Sequence, residues 1–337
     1  MGLSTNFPYA GEKMKGFAWL IALGYALTLV LPLPFLPKPA PDLSLGEAVT
    51  TPTADNAKPT ATITVLDASA GVLYTFAERD FLIYTVAAEM PASYGAEALK
   101  AQAVATYTYY LREKKVNADN PDLQGAHSSQ LPDSFPAGYS PEGLREKWGN
   151  DYDKHLTAVA AAVDAVAGTY LAYEDEPILA VYHAYNGGRT ETAGVVWGQD
   201  FPYLQAVVST ADATRAAETT TVSDADFAAA FSDVELTGDA NGWIAPDPSV
   251  TASGTVTALT VGGKVFTGGE VRKRLSLRSA NFTVTRAENG FAFTAHGYGH
   301  GVGMSQVGAG GLASQGFSYS EILAHYYPGA VLKTATS

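Results

Sequence analysis

Residues 16–36 form an unbroken run without a charged side chain, and this run decides where the rest of the chain can fold. A helix of that length reaches roughly 30 Å, the thickness of the apolar core of a bilayer. Lys13 and Lys15 precede the run, which predicts a cytoplasmic N-terminus and an external body. The sequence therefore predicts a cytoplasmic tail over residues 1–15 and a single transmembrane anchor over residues 16–36.

A cleaved signal peptide is the alternative to an anchor, and either one exports the rest of the chain. The apolar core of a signal peptide usually covers about 7–15 residues and ends in a small-x-small cleavage site. The run in this chain is longer and is followed by Pro37, Pro39 and Pro41, which favours the anchor. Residues 37–60 are rich in Pro, Thr, Ala and Asp and show no periodicity, so we interpret them as a linker.

The body of the chain, residues 61–337, mixes strand and helix patterns without regular alternation. Alternating stretches predict strands joined in hairpins, one with its turn at Gly262-Gly263 and another between residues 169–173 and 178–183. This mixture predicts an α+β fold in one extracytoplasmic domain with a substrate groove. Helices are predicted at residues 79–89, 94–115 and 156–167, and a short one begins at a Ser-x-x-Glu capping box at residues 318–321.

The composition excludes several classes of partner. The formal net charge is −13 at pH 7, from 21 basic and 34 acidic residues, so the clustered cations that neutralise nucleic-acid phosphates are lacking. The same charge disfavours electrostatic adhesion to anionic lipid, whereas a neutral glycan is compatible with it. The chain has no cysteine, which excludes disulfides, thiolate chemistry and thiolate-bound zinc.

Glu89 is the first candidate for chemistry. It lies at the predicted end of an apolar helix, beside Ala87, Ala88 and Met90 and just before the helix-breaking Pro91. Partial burial there would raise the pKa of the carboxyl and make it a usable proton donor near neutral pH. The alternative is an exposed acid at a helix end without a catalytic part, and position alone favours that alternative.

Two further stretches carry polar side chains suited to a sugar. Lys100 and Gln102 lie on the next predicted helix and could hydrogen-bond hydroxyl and N-acetyl groups, although an ordinary amphipathic helix is the simpler interpretation. Residues 296–306 have the sequence HGYGHGVGMSQ, whose glycines permit positive φ and a close approach to a ligand. A structural loop and a substrate-lining loop both fit this segment. Its glycines disfavour the helix that would present His296 and His300 together to a metal.

Eight segments of the chain resemble, in order, the sporulation stage II protein D (SpoIID) family, which includes LytB-like amidase enhancers. Each segment alone is modest evidence, whereas the ordered set is strong evidence because chance matches would not line up. The segments are AAEMP (87–91), EALKAQAVA (97–105), NGGRTE (186–191), VVWG (195–198), PYLQAV (202–207), RKRLSLRSANF (272–282), HGYGHGVGMSQVGA (296–309) and SYSEILAHYYPG (318–329).

The resemblance implies a lytic transglycosylase that cleaves peptidoglycan glycan strands whose stem peptides an amidase has removed. Such an enzyme leaves 1,6-anhydro-N-acetylmuramic ends, and the resemblance implies that it acts in engulfment during sporulation. In family terms Glu89 is the catalytic acid and base. The candidate substrate contacts implied by motif position are Lys100, Gln102, Ser305 and Gln306, with His300 as an addition.

The resemblance also implies a partner protein, and the chain departs from the family pattern at one position. The implied partner is a cell-wall amidase in the membrane, and the alternative function is a non-catalytic glycan-binding enhancer of such an amidase. No cofactor is implied, and the zinc that some members bind through Cys and His is not expected, because the chain has no cysteine. Tyr107 stands where family members usually carry an arginine, which puts substrate binding at that position in doubt.

Overall fold

The computed structural model describes residues 61–129 and 139–335. The predicted tail, anchor and linker lie outside these residues. Within the two described ranges, no helix combines the length and the apolar character needed to cross a bilayer. The described chain forms a mixed α+β fold whose strands build several small sheets of two or three strands each.

Helices and strands follow one another irregularly. The helices are α1 (Glu78–Glu89), α2 (Ala96–Val116), α3 (Pro141–Trp148), α4 (Tyr152–Ala165), α5 (Ala193–Trp197), α6 (Asp224–Ala230), α7 (Gly268–Leu275), α8 (Gln306–Ser314) and α9 (Tyr319–Tyr326). The strands are β1 (Thr62–Asp67), β2 (Val72–Ala77), β3 (Thr169–Tyr173), β4 (Glu176–Pro177), β5 (Tyr182–His183), β6 (Glu218–Ser223), β7 (Ser249–Val250), β8 (Val256–Val261), β9 (Lys264–Phe266), β10 (Phe282–Ala287), β11 (Gly290–Ala295), β12 (Met304–Ser305) and β13 (Val331–Thr334).

Helix α2 lies inside the larger of the two main hydrophobic cores in the described part of the chain. Its buried residues run almost without interruption from Ala98 to Tyr110, so the helix is covered on nearly all sides and not along a single stripe. Many of these residues are alanines, and their small side chains allow neighbouring elements to come close. Helices α1, α4, α8 and α9 and strand β3 all contact α2.

A second, smaller core lies between residues 227 and 295 and is rich in phenylalanine. The ring of Phe227, on α6, stacks on that of Phe231, which directly follows the helix, with the centroids 4.6 Å apart. Phe291 of β11 lies at the same distance from Phe227. The sheets β10-β11-β6 and β7-β8-β9, together with α7, surround this core. The prediction of one domain over residues 61–337 stays a prediction. The described residues contain these two large cores and a small apolar cluster of Leu66, Leu123 and Ala126.

The predicted hairpin between residues 169–173 and 178–183 forms, but it is shorter than predicted and its second strand begins at Glu176. Strand β3 pairs with the two-residue β4 and with β13 near the C-terminus. The Ile178 amide continues this pairing by donating to the Leu171 carbonyl at 3.1 Å, whereas residues 179–181 are fully buried and apolar and fill the larger core. Strand β5 instead pairs in parallel with β12, with Tyr182 opposite Met304.

Other local predictions hold, with shifted boundaries. The hairpin of β8 and β9 turns at Gly262-Gly263 as predicted. The capping box of α9 is confirmed, because the Ser318 amide donates to Glu321 Oε2 at 2.8 Å. Helix α2 begins at Ala96, after a 3₁₀ turn over Ala92–Tyr94, and not at residue 94.

We predict that the second core contributes strongly to stability, and a Phe293→Ala variant measures this. Phe293 is fully buried, so its truncation should lower the free energy of unfolding by about 3–5 kcal/mol. The measurement is urea denaturation followed by fluorescence or circular dichroism. Phe317→Ala is the matched control, because Phe317 is 40% exposed and should lose only about 1 kcal/mol or less. Equal losses in the two variants would contradict the assignment of this core.

Candidate functional site

Glu89 is the last residue of α1 and lies at the boundary between the larger core and solvent. The residues around it, Val86, Ala87 and Met90, are 0–1% exposed, whereas Glu89 itself is half-buried. Met90 turns the chain into an extended conformation with φ −122°, and Pro91 follows, so the helix cannot continue. The local sequence thus places one carboxyl at a fixed helix end, beside an apolar interior.

Lys147, on α3, lies beside this carboxyl. Its ammonium donates to the carbonyls of Ala87 at 2.7 Å and Ala88 at 3.1 Å, which satisfies acceptors that the end of α1 leaves open. Burial lowers the pKa of Lys147, and the negative charge of Glu89 opposes that shift. Burial raises the pKa of Tyr139 well above its usual range, and Glu89 adds to that rise. A cation and a phenol therefore border the candidate acid.

Lys147 was not among the candidates derived from sequence. A signal for its helix was present, because Ser140 caps α3 by accepting the Gly143 amide at 3.0 Å and Pro141 occupies the first turn. Nothing in the sequence indicates that this helix packs against the end of α1, 58 residues earlier than Lys147 in the chain.

Lys100 is partly exposed and holds the start of another helix in place. Its ammonium donates to Glu97 Oε1 at 2.7 Å, and Glu97 Oε2 accepts the Tyr319 amide at 2.8 Å. The hydrogen bond from Lys100 is the main reason that the pKa of Glu97 is lowered. The side chain of Lys100 is 25% exposed, so it remains within reach of a ligand. Its role as a substrate contact stays a prediction.

Gln102 and Gln306 face each other in the interior. Gln306 Nε2 donates to Gln102 Oε1 at 3.3 Å, and Gln102 Nε2 donates to Thr106 Oγ1 at 3.2 Å. Gln102 is 0% and Gln306 5% exposed, so the pair joins α2 to α8. Direct contact with a substrate stays a prediction for both, and it requires the amides to turn out of this pair.

Ser305 is fully buried and caps α8. Its hydroxyl accepts the Gly308 amide at 3.0 Å and donates to Asp212 Oδ1 at 2.9 Å. Asp212 is 1% exposed, and burial raises the pKa of its carboxyl. In this conformation Ser305 binds the helix terminus and an acid that the sequence did not single out. Its predicted substrate contact is likewise untested.

His300 packs against a second histidine, and both are held in the neutral form. His183 Nδ1 lies 3.1 Å from the Val302 carbonyl, which makes Nδ1 the protonated nitrogen, while Nε2 lies 3.2 Å from the Asn186 side-chain amide. His300 Nδ1 accepts the Val302 amide at 3.0 Å. Burial lowers the pKa of His183 to about 4 and lowers that of His300 well below its usual range. The ring of Trp197 lies 5.1 Å from that of His300.

Glycines allow the segment that contains His300 to lie directly against the chain after β5. A Cβ at Gly297 would be 2.9 Å from the Cα of Asn186, and one at Gly299 would be 2.8 Å from the Cβ of His183. Both glycines have positive φ. The NGGRTE and HGYGHGVG segments therefore meet backbone to backbone, and a bridge between Tyr185 and Tyr298 joins them.

A pocket of about 340 Å³ opens between α5, β8 and α7. Three of the family-like segments, VVWG, RKRLSLRSANF and HGYGHGVGMSQVGA, contribute to its lining. Glu89 and Lys100 do not line it, so the candidate acid and this pocket are distinct places on the described part of the chain. The lining includes Val196, Trp197, Arg272, Lys273 and His300. No group of three or more His, Asp or Glu side chains suited to a metal ion occurs among residues 61–129 and 139–335.

Comparison with known proteins places these features in a family context. Residues 68–173 match a family model described as stage II sporulation protein. A stage II sporulation protein D of Bacillus amyloliquefaciens is 36% identical, over 77% of this chain and 75% of that protein. One from Bacillus subtilis (strain 168) is 32% identical, over 76% of this chain and 74% of that protein. An amidase enhancer of the same strain is 28% identical, over 72% of this chain and 39% of the enhancer.

We predict that Gly303 cannot carry a side chain. A Cβ there would lie 2.1 Å from the Val181 carbonyl oxygen, which β12 holds in place, whereas a Cβ at Gly316 would meet nothing within 4 Å. Both glycines have positive φ, so both alanine variants lose about 1–2 kcal/mol from backbone strain. Gly303→Ala should lose about 1–3 kcal/mol more by overpacking. Urea denaturation of the two variants gives the difference, and equal losses would contradict the close approach.

We also predict that His183 remains neutral at pH 5. Its pKa is lowered from 6.5 to about 4 because the ring is buried, whereas an unperturbed histidine is mostly protonated at that pH. A lowered histidine pKa stabilises the fold above pH 6.5, and that stabilisation is lost as pH falls toward 4. The measurement is an NMR titration of the imidazole signals, with His183 assigned from a His183→Asn variant. Titration of that signal between pH 6 and 7 would show that the ring is not buried.

Proposed function

The chain belongs to the stage II sporulation protein D family, and from that premise we propose that it is a lytic transglycosylase of peptide-free peptidoglycan strands, with Glu89 as acid and base. The proposed setting is sporulation, outside the cytoplasm. The observation that carries the proposal is the half-buried Glu89 carboxyl, fixed at the end of α1 between an apolar interior and the Lys147 ammonium.

A single carboxyl is sufficient for this reaction. Glu89 donates its proton to the glycosidic oxygen as the bond from that oxygen to C1 of N-acetylmuramic acid breaks. The C6 hydroxyl of the same sugar then attacks C1 and returns its proton to Glu89. The products are a 1,6-anhydro ring and a new free hydroxyl, and the carboxyl is regenerated. Ordinary hydrolysis would instead need a second acid to activate water or form a covalent intermediate.

The surroundings of Glu89 suit both halves of such a cycle. An apolar neighbourhood favours the protonated carboxyl that donates, and a nearby ammonium favours the carboxylate that accepts. Val86 and Met90 supply the first influence and Lys147 the second. Because Lys147 also binds the Ala87 and Ala88 carbonyls, it holds the backbone at the end of α1, from which the Glu89 side chain extends. We propose Lys147 as a positioning residue for Glu89.

The location that we propose rests on the uncharged run at residues 16–36. We propose that residues 16–36 anchor the chain in the cell membrane and that residues 37–60 hold the folded body away from the surface. A cell-wall amidase that exposes peptide-free strands is the proposed partner. A cleaved signal would export the same body and leave the proposed reaction unchanged.

A glycan-binding amidase enhancer is the second candidate function. The similarity to an amidase enhancer of Bacillus subtilis (strain 168) favours it. A second observation is Tyr107, which takes the place of the family arginine and is 6% exposed. Burial raises the pKa of Tyr107 to about 12, so the hydroxyl is neutral and cannot replace an arginine's charge. Glycan binding without cleavage, together with faster amidase turnover, would establish this function.

We predict that Glu89→Gln abolishes cleavage and preserves the fold, because the amide is nearly isosteric with the carboxyl. The full-length chain is incubated with peptide-free glycan strands, and mass spectrometry identifies the product ends. Wild type should produce 1,6-anhydromuramic ends, and the variant should be slower by about 100-fold or more. Glu78→Gln is the matched control, since Glu78 is also a half-buried glutamate of α1 but lies at its other end.

Three other results would contradict the proposal. Reducing ends would show hydrolysis and require a second carboxyl. Intact strands that still bind the protein would support the enhancer function. Comparable losses in Glu89→Gln and Glu78→Gln would indicate damage to α1 and not removal of a proton donor.

A further inference from the structure

The pocket between α5 and α7 has the size and lining of a small-molecule site. Its volume of about 340 Å³ lies within the roughly 300–1,000 Å³ typical of such sites. Val195, Val196 and Trp197 give it an apolar side, and Arg272 and Lys273 give it a cationic one. Apolar and aromatic walls with a few charged groups are the usual composition of a ligand pocket.

Arg272 has no carboxylate partner among residues 61–129 and 139–335. Its Nε donates to the Leu277 carbonyl at 3.1 Å, but its buried Nη2 has no hydrogen-bond partner among the residues that the structure describes. No described carboxylate lies within 4.0 Å of the guanidinium. Burial lowers the pKa of Arg272 to about 10, so the side chain remains charged at neutral pH. A buried donor of this kind is unfavourable until an acceptor reaches it.

This situation is unusual for an arginine in so acidic a chain, whose net charge is −13. Arg274, on the same helix, binds Asp233 at 2.5 Å, and Arg278 binds Glu218 at 2.6 Å. The acid that lines the pocket, Glu270, is engaged elsewhere, because its Oε2 accepts from the Thr267 amide at 2.7 Å in the capping box of α7. The pocket therefore has a positive charge that its own walls leave uncompensated.

We propose that this pocket binds a carboxylated sugar, with the carboxylate on Arg272 and the sugar ring against Trp197. A guanidinium matches a carboxylate in shape and can donate two hydrogen bonds to it. The carbon–hydrogen face of a pyranose is suited to pack against an indole ring. His300, which packs against Trp197 and lines the same pocket, supports that wall.

The inference rests on the proposed function for the source of the sugar. The lactyl group of N-acetylmuramic acid is a free carboxylate only when no stem peptide is attached. An attached peptide converts it to an uncharged amide and adds bulk, so Arg272 would select peptide-free strands. A peptide terminus is the other chemical source of a carboxylate, and it lacks the ring that Trp197 would contact.

The test measures binding and not cleavage. The full-length wild-type chain and its variants are titrated with N-acetylmuramic acid, its methyl ester, N-acetylglucosamine and N-acetylalanine, and isothermal titration calorimetry gives the affinities. In the chains that keep Trp197, its indole N–H signal shows by NMR whether the pocket is occupied. The variants are Arg272→Met and Trp197→Leu. Lys154→Gln is the matched control, because it removes one positive charge from an exposed position on α4.

N-acetylmuramic acid should bind at least about tenfold more tightly than the ester or N-acetylglucosamine, because only the acid gives Arg272 a charged acceptor. Arg272→Met should remove that preference, Trp197→Leu should weaken the binding of both sugars, and Lys154→Gln should change neither the preference nor the affinities.

Equal affinity for the acid and its ester in wild type would overturn the proposal, even if a variant failed to fold. Equal affinity for N-acetylalanine would overturn the sugar assignment. Because Glu89 does not line the pocket, Glu89→Gln should retain binding, so failure of the proposed cleavage and failure of this inference are distinguishable.

Discussion

The burial of α2 on nearly all sides is the constraint on which the larger core depends. A helix in this position can be surrounded only if its neighbours approach closely, and the alanines of its first turns permit that approach. The residues that give the helix its place in the fold are thus the same residues that define a family-like segment, EALKAQAVA. Lys100 and Gln102 both lie on this segment. Lys100 is partly exposed to solvent, whereas Gln102 is fully buried.

Two kinds of polar position follow from this arrangement. Some polar side chains close the interior: the Gln102–Gln306 pair and the Ser305–Asp212 hydrogen bond satisfy groups that burial would otherwise leave unpaired. Others lie where apolar structure ends, such as Glu89 at the last turn of α1. Catalysis needs polar groups at such a boundary, because a reacting group must be held by a rigid structure and still contact a substrate. The buried hydrogen-bonded pairs determine how rigidly that structure is held.

The sequence predicted features that depend on neighbouring residues and missed those that depend on distant ones. The capping box at Ser318 and the turn at Gly262-Gly263 are local, and both were found. The pairing of β5 with β12 joins segments more than 100 residues apart, so alternation suggested the nearer partner, β3. For the same reason the sequence indicated Glu89 but not Lys147.

The pocket, too, depends on distant residues and could not be predicted from the sequence. Its segments were recognised one by one through their resemblance to a family, but nothing in their spacing placed VVWG beside RKRLSLRSANF. The uncompensated charge of Arg272 is also invisible in a sequence, because Glu270 lies only two residues away along the chain and the separation of the two charges is purely spatial. Only the position of Glu270 within its capping box accounts for it.

The hydrogen bond between Gln102 and Gln306 spans 204 residues, and it has a consequence for how the chain acquires its structure. Helix α2 is among the first elements to be synthesised, yet α8 and α9, which cover it, are among the last. Contacts of such high sequence separation slow folding, since a long loop must close before they form. Until residues beyond 300 emerge, one side of α2 has no covering layer, and an incomplete chain exposes an alanine-rich apolar surface. The larger core therefore cannot be completed before residues 306–326, which form α8 and α9, have been synthesised.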